Sequence, residues 1–255
     1  MMMQKKTCIY VYLGELEYRS AWNLQKRLLE LRRRKETLDV LLLLQHPPTI
    51  TLGKSGSRDH LLADADYLES RGFELTETDR GGDITYHGPG QLVAYPILDL
   101  AEIRKDIFWY LRQLEQVIMN TLACFSIATN RRDGYTGVWA GDKKIAAIGV
   151  KVSRWITLHG IALNICPDLQ HFDFIVPCGI RDKSVTSIAK TSGRQVEVEE
   201  VVPHFVHEFG NVFGYRMMPF NHATWPVLTK TLDDCVGELM KTNIDLKEES
   251  VVGDR

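Results

Sequence analysis

Apolar residues recur at helical spacing in four stretches of the chain. Leu111, Leu114, Ile118, Leu122 and Phe125 fall three or four residues apart and predict a helix over 106–126. Leu24, Leu28 and Leu31 do the same for 18–36, and Val202, Phe205, Phe209 and Val212 for 199–213. Leu228, Leu232, Cys235 and Leu239 predict a fourth helix over 226–241. Shorter apolar runs predict strands at 8–13, 39–45, 49–52, 73–78, 91–97, 144–152 and 156–165. The run at 40–44 stops at Gln45-His46-Pro47-Pro48 and reads as a buried strand leaving a sheet; it is too short to cross a bilayer. Strands and helices do not alternate regularly, and short loops separate many strands. This predicts an α+β fold, a mixed and largely antiparallel sheet flanked by helices. Residues 1–215 form the expected main domain, and 216–255 a helical C-terminal extension ending in a frayed polar tail.

The chain has 255 residues, 44% hydrophobic and 25% charged, enough for a normal core without disulfides or metals. Its five cysteines, Cys8, Cys124, Cys166, Cys178 and Cys235, are odd in number and none are paired as CxxC. Neither a disulfide framework nor a zinc ribbon is expected, and Cys166, His171 and Cys178 fit no common zinc spacing. Reduced thiols and an N-terminus without signal-peptide character point to the cytoplasm. The net charge of −2 gives no electrostatic case for nucleic acid.

Four segments carry candidate chemistry. The first is Arg80, Gly81, Gly82, Asp83, Ile84, Thr85, Tyr86 and His87, followed by Gly88-Pro89-Gly90-Gln91. Its glycines free the backbone for close approach to a ligand, but the same composition suits a turn-rich hairpin. It is not a dinucleotide fingerprint, because Val93 stands where the third glycine belongs. Gly53-Lys54-Ser55 likewise ends like a phosphate loop whose first glycine is replaced by Pro48. The second segment opens at Lys144 and continues through Ile145, Ala146, Ala147, Ile148 and Gly149. Its small side chains leave room beside a sheet, although a lysine at a strand edge is more often simply solvated. The third holds His159, Gly160, Ile161 and Ala162; a single strand histidine is commonly structural. The fourth sets Cys178 between Pro177 and Gly179, on a turn where the sulfur can be reached, though most isolated cysteines are inert.

Taken in order, RGGDITYHGPGQLVAYPI (80–97), KIAAIGVKVSR (144–154), LHGIALNI (158–165), PCGI (177–180) and VTSI (185–188) resemble the lipoyl(octanoyl) transferase family, the octanoyl-[acyl-carrier-protein]:protein N-octanoyltransferases. The resemblance spans about residues 10–215 and includes His46-Pro47-Pro48. It implies a fold shared with biotin- and lipoate-protein ligases. It implies Cys178 as the acyl-thioester nucleophile and Lys144 as its activating partner. It places the acyl-binding wall at Arg80 through His87, at Ala147, Ile148 and Gly149, and at His159, Gly160, Ile161 and Ala162. The implied partners are octanoyl-acyl carrier protein as donor, and as acceptors the lipoyl domains of 2-oxoacid dehydrogenase E2 subunits and the glycine cleavage H protein. No cofactor, metal or membrane is implied, and a monomer is expected.

The residue types suit that chemistry. An ordinary cysteine ionises near pH ~8.5, so a thiolate at neutral pH needs a nearby ammonium. Lys144 would stabilise the thiolate first and accept a proton from the incoming lysine later. Exchange between thioesters is nearly isoenergetic and needs no ATP. The oxyanion would be met by backbone N–H groups near Cys178 and Gly179, while His87 could donate to it or line the entrance. Arg32-Arg33-Arg34-Lys35 and Arg131-Arg132 could steer an acidic carrier, or could be solvated surface charge. Three other readings compete: an ATP-dependent ligase, a non-catalytic module that binds acylated carriers, and an amidotransferase with its cysteine elsewhere.

Overall fold

The computed structural model describes residues 5–176 and 184–236. Its strands are β1 (Lys6–Glu15), β2 (Asp39–Gln45), β3 (Thr49–Leu52), β4 (Glu74–Glu77), β5 (Ile84–His87), β6 (Gln91–Ile97), β7 (Asn130–Arg132), β8 (Tyr135–Ala140), β9 (Lys143–Ser153), β10 (Ile156–Asn164) and β11 (Tyr215–Pro219). Its helices are α1 (Tyr18–Arg33), α2 (Ala65–Ser70), α3 (Ile107–Ala123), α4 (Ile188–Ser192), α5 (Val198–Phe213) and α6 (Pro226–Val236). Eight strands form one sheet in the order β11-β1-β2-β6-β10-β9-β8-β7, and β4-β3-β5 form a second, smaller one. In the large sheet β1 runs parallel to β2 and β11, and the other pairs are antiparallel. The parallel step from β1 to β2 is made by α1, the crossover that such a pair requires.

The pattern of β2 shows why it lies at the centre. Every residue of Asp39–Leu44 is buried, because both faces of the strand are covered. Leu41 and Leu43 pack in one cluster with Leu114 and Ile118 of α3 and Phe205 and Phe209 of α5. Val40, Leu42 and Leu44 pack in the other with Leu24 and Leu28 of α1 and Leu228 and Leu232 of α6. A third cluster, including Ile50, Phe73, Ile84, Tyr86, Phe172 and Ile175, forms the base of the small sheet. Two helix ends follow their local chemistry: the Asp106 carboxylate accepts the Trp109 N–H at the start of α3, and α5 ends on Gly214 with φ 74°. No described helix is long and apolar enough to cross a membrane.

Two sequence expectations need correction. Residues 215–219 are not the start of a helical extension. They form β11, which pairs with β1 at the sheet edge, so the main unit runs past 215. Arg32 is not surface charge. Its guanidinium is buried, 2.7 Å from Asp39 and 2.6 Å from Glu102. Asp39 also accepts the Tyr215 hydroxyl, tying β11 to the same network. Arg131 is likewise bound to the buried carboxylate of Glu115 at 2.9 Å.

Candidate active site

A cavity of about 560 Å³ opens where the small sheet meets β9 and β10. That volume lies within the usual ~300–1,000 Å³ of small-molecule sites. Residues 80–85, His87, Lys144, 147–149 and 159–162 all line it, so three of the segments singled out in the sequence converge. Its floor has little side-chain bulk: Ala147 lies opposite Ala162, and Gly149 opposite Gly160. Tyr86 does not line the cavity. Alternation along β5 turns its ring into the third core cluster, where its hydroxyl meets His171 Nδ1 at 2.8 Å. Cys178 lies outside the described residues.

Lys144 sits near the start of β9, and both of its backbone polar groups hold the segment after Cys178. Its N–H donates to the Ser184 carbonyl at 3.1 Å, and its carbonyl accepts from the Thr186 N–H at 2.9 Å. On the other side of residues 177–183, the Val176 N–H donates to the His60 carbonyl at 2.8 Å. The Lys144 ammonium lies 5.1 Å from the centre of the Trp139 ring.

The cavity also has a polar aromatic wall that the sequence did not reveal. Tyr18 and Tyr95 line it beside His87 and His159. His46, just behind, places Nδ1 2.6 Å from the Leu16 carbonyl and Nε2 2.8 Å from the Tyr95 hydroxyl. Since a carbonyl only accepts, Nδ1 carries the proton and Tyr95 donates to Nε2. Burial holds the His46 ring at a pKa of about 4, so it is neutral. His159 has a left-handed φ of 56° and donates its backbone N–H to Gln25 Oε1 at 2.7 Å. Its Nε2 lies 2.7 Å from Asp79, which also binds Lys151 at 2.6 Å. The His159 hydrogen bond and then Lys151 hold the Asp79 carboxyl well below the usual range. Burial pushes the His159 pKa down despite Asp79, leaving it neutral with the proton on Nε2. Asp79 directly precedes the glycine-rich segment, but nothing in the sequence linked it to a histidine 80 residues away.

The Gly88–Gly90 turn is tightly built. Gly90 has φ 83°, and a β-carbon there would lie 2.7 Å from the Cys166 backbone, so only glycine fits. The Gly90 N–H donates to Gln45 Oε1, and its carbonyl accepts from the Ile165 and Cys166 N–H groups. The Gly53-Lys54-Ser55 segment is no phosphate cradle: its three N–H groups donate to the carbonyls of Asp83, Arg80 and Gly82.

Comparison with known proteins identifies the family. The family profile of the lipoyl protein ligase A/B catalytic domain matches residues 17–210. An octanoyltransferase of Solibacter usitatus is 47% identical over 214 residues, covering 84% of this chain and 96% of the relative. One of Gloeobacter violaceus is 47% identical over 213 residues, covering 83% and 93%. Among solved structures, lipoate-protein ligase A bound with ATP superposes with a TM-score of 0.69 at 17% identity, covering 91% of this chain and 95% of that one. At that identity the likeness speaks for the fold. The chain therefore belongs to the lipoyl protein ligase A/B catalytic-domain family, and it is an acyltransferase of the octanoyltransferase kind.

Proposed function

We propose that this enzyme moves an octanoyl group from octanoyl-acyl carrier protein to a lysine of a lipoyl domain, through a thioester on Cys178. The acceptors are the lipoyl domains of 2-oxoacid dehydrogenase E2 subunits and the glycine cleavage H protein. The enzyme acts as a cytoplasmic monomer and uses no cofactor. One observation carries the reading: Lys144 stands at a cavity floored by alanine and glycine, and its backbone holds Ser184 and Thr186, just beyond the Cys178 segment.

In the first step the Cys178 thiolate attacks the donor thioester carbonyl. A C–S bond to the enzyme forms, and the C–S bond to the carrier breaks, releasing the carrier thiolate. The Lys144 ammonium stabilises the attacking thiolate and then supplies a proton to the leaving one. In the second step the acceptor amine attacks the enzyme thioester. The C–N bond forms, the C–S bond to Cys178 breaks, and Lys144 takes the amine's proton. The octanoyl tail lies over the small residues of β9 and β10, where each methylene removed from water contributes about 0.8 kcal/mol. The engaged amides of residues 53–55 support a route without nucleotide, because they leave that loop no backbone N–H to cradle phosphate.

The test is reconstitution with octanoyl-acyl carrier protein and an isolated lipoyl domain. The lipoyl domain should gain one octanoyl group without ATP. Product formed only from free octanoate plus ATP would move the chain to the ligases.

A further inference from the structure

A chain of side-chain hydrogen bonds runs from the cavity to the backbone beside Lys144. His87 Nδ1 lies 2.8 Å from Gln91 Oε1. Gln91 Nε2 donates to the Tyr86 carbonyl at 3.3 Å and to Asn164 Oδ1 at 2.9 Å. Asn164 Nδ2 donates to the Thr186 carbonyl at 3.0 Å, and the Thr186 N–H donates to the Lys144 carbonyl. Gln91 and Asn164 are 1% and 4% exposed, so no solvent offers an alternative arrangement.

The far end of the chain fixes every proton in it. The Thr186 and Tyr86 carbonyls can only accept. Asn164 must therefore turn its NH₂ to Thr186 and its oxygen to Gln91. Gln91 must turn its NH₂ to Tyr86 and Asn164, which leaves its oxygen facing His87. That oxygen requires a proton on His87 Nδ1. Burial first, then His46 and Arg80 nearby, hold the His87 pKa well below its ordinary value, so the ring is neutral and carries one proton. Nε2 is then a bare lone pair. It has no hydrogen-bond partner among the described residues, and His87 lines the cavity.

Lys144 lines the same cavity, and the hydrogen-bond chain from His87 ends at Thr186, whose N–H donates to the Lys144 carbonyl. In this cavity an N–H must be accepted only when the substrate lysine attacks.

We infer that His87 is a hydrogen-bond acceptor that orients the attacking lysine amine, and that it does not donate to the oxyanion. Gln91 and Asn164 are the positioning residues that hold it in this tautomer. The inference rests on the proposed reading that a lysine attacks an acyl-Cys178 in this cavity. An oxyanion forms in both half-reactions, whereas the amine takes part only in the second, and this separates the two roles.

The experiment follows each half-reaction by intact-protein mass in single turnovers, for wild type and His87→Ala. Transfer from the isolated octanoyl-enzyme to the lipoyl domain should slow about tenfold or more beyond any slowing of octanoylation from octanoyl-acyl carrier protein, the order of one lost hydrogen bond. Equal slowing of both steps, or slowing of octanoylation alone, overturns the inference. A wild type that forms no octanoyl adduct at all overturns the thioester reading, and the inference falls with it. Nitrogen-15 spectra of histidine-labelled wild type give a readout that needs no stable variant. They should show His87 with a protonated Nδ1 and an unprotonated Nε2, and the reverse tautomer contradicts the inference.

Discussion

Gly137 lies directly against the Lys144 side chain. A β-carbon on residue 137 would sit 2.8 Å from Lys144 Cε and 3.5 Å from its Nζ. The absence of a side chain on β8 is therefore what lets the lysine lie across it toward Trp139. Gly137→Ala should displace the ammonium and lower the rate of acyl transfer at least tenfold, about 1.4 kcal/mol of barrier. Because φ at 137 is 133°, the substitution should also cost about 1–3 kcal/mol of stability. A folded Gly137→Ala enzyme with full activity would show that the lysine's placement is unimportant.

The basic run at the end of α1 divides into a structural and a surface part. Arg32 is 6% exposed and compensates Asp39, whereas Arg34 is exposed. Arg32→Ala strands a buried carboxylate and should cost about 3–5 kcal/mol in denaturant unfolding. Arg34→Ala should change stability by less than about 0.5 kcal/mol. Equal effects would contradict the partition.

Chain-length preference follows from the cavity floor. At about 0.8 kcal/mol per methylene, replacing octanoyl by hexanoyl should lower kcat/KM about 15-fold. Ala162→Leu fills the floor and should narrow or reverse that preference. Unchanged ratios would place the acyl chain elsewhere.

Acid stability should carry the mark of His46. The unfolded chain takes up this proton near pH 6.5, whereas the folded ring resists it until about pH 4. Its contribution is therefore complete above pH 6.5 and is lost as pH falls toward 4, by about 1.4 kcal/mol per pH unit and about 3 kcal/mol in all. His87 and His159, also held down by burial, act in the same direction. His46→Asn should flatten this slope between pH 6.5 and 4 in urea titrations. An unchanged slope would show that His46 titrates normally.

Much of the fold was written in local periodicity. The long helices α1, α3 and α5 and the strands β2, β6, β9 and β10 all follow their apolar spacing. The strands that sequence analysis did not predict are short and owe their form to partners. β5 is four residues among glycines and exists because β3 pairs with it, and β11 exists because β1 offers an edge. The cavity's alanine and glycine floor was legible because two motifs carry it in adjacent strands. Tyr18 was not, because it begins a helix far away in sequence and reaches His87 only through packing, with ring centres 5.9 Å apart. Arg32 looked like surface charge because a run of cations is visible in sequence, while its partners Asp39 and Glu102 are brought to it by the fold.

The central claim is that Cys178 carries the acyl group and that Lys144 activates it. Intact-protein mass after incubation with octanoyl-acyl carrier protein, without ATP, tests it most directly in wild type, Cys178→Ser and Lys144→Met. The account predicts one hydroxylamine-labile octanoyl adduct on wild type, none labile to hydroxylamine on Cys178→Ser, and greatly slowed formation on Lys144→Met. A labile adduct that persists in Cys178→Ser, or one that forms at the wild-type rate in Lys144→Met, would contradict it.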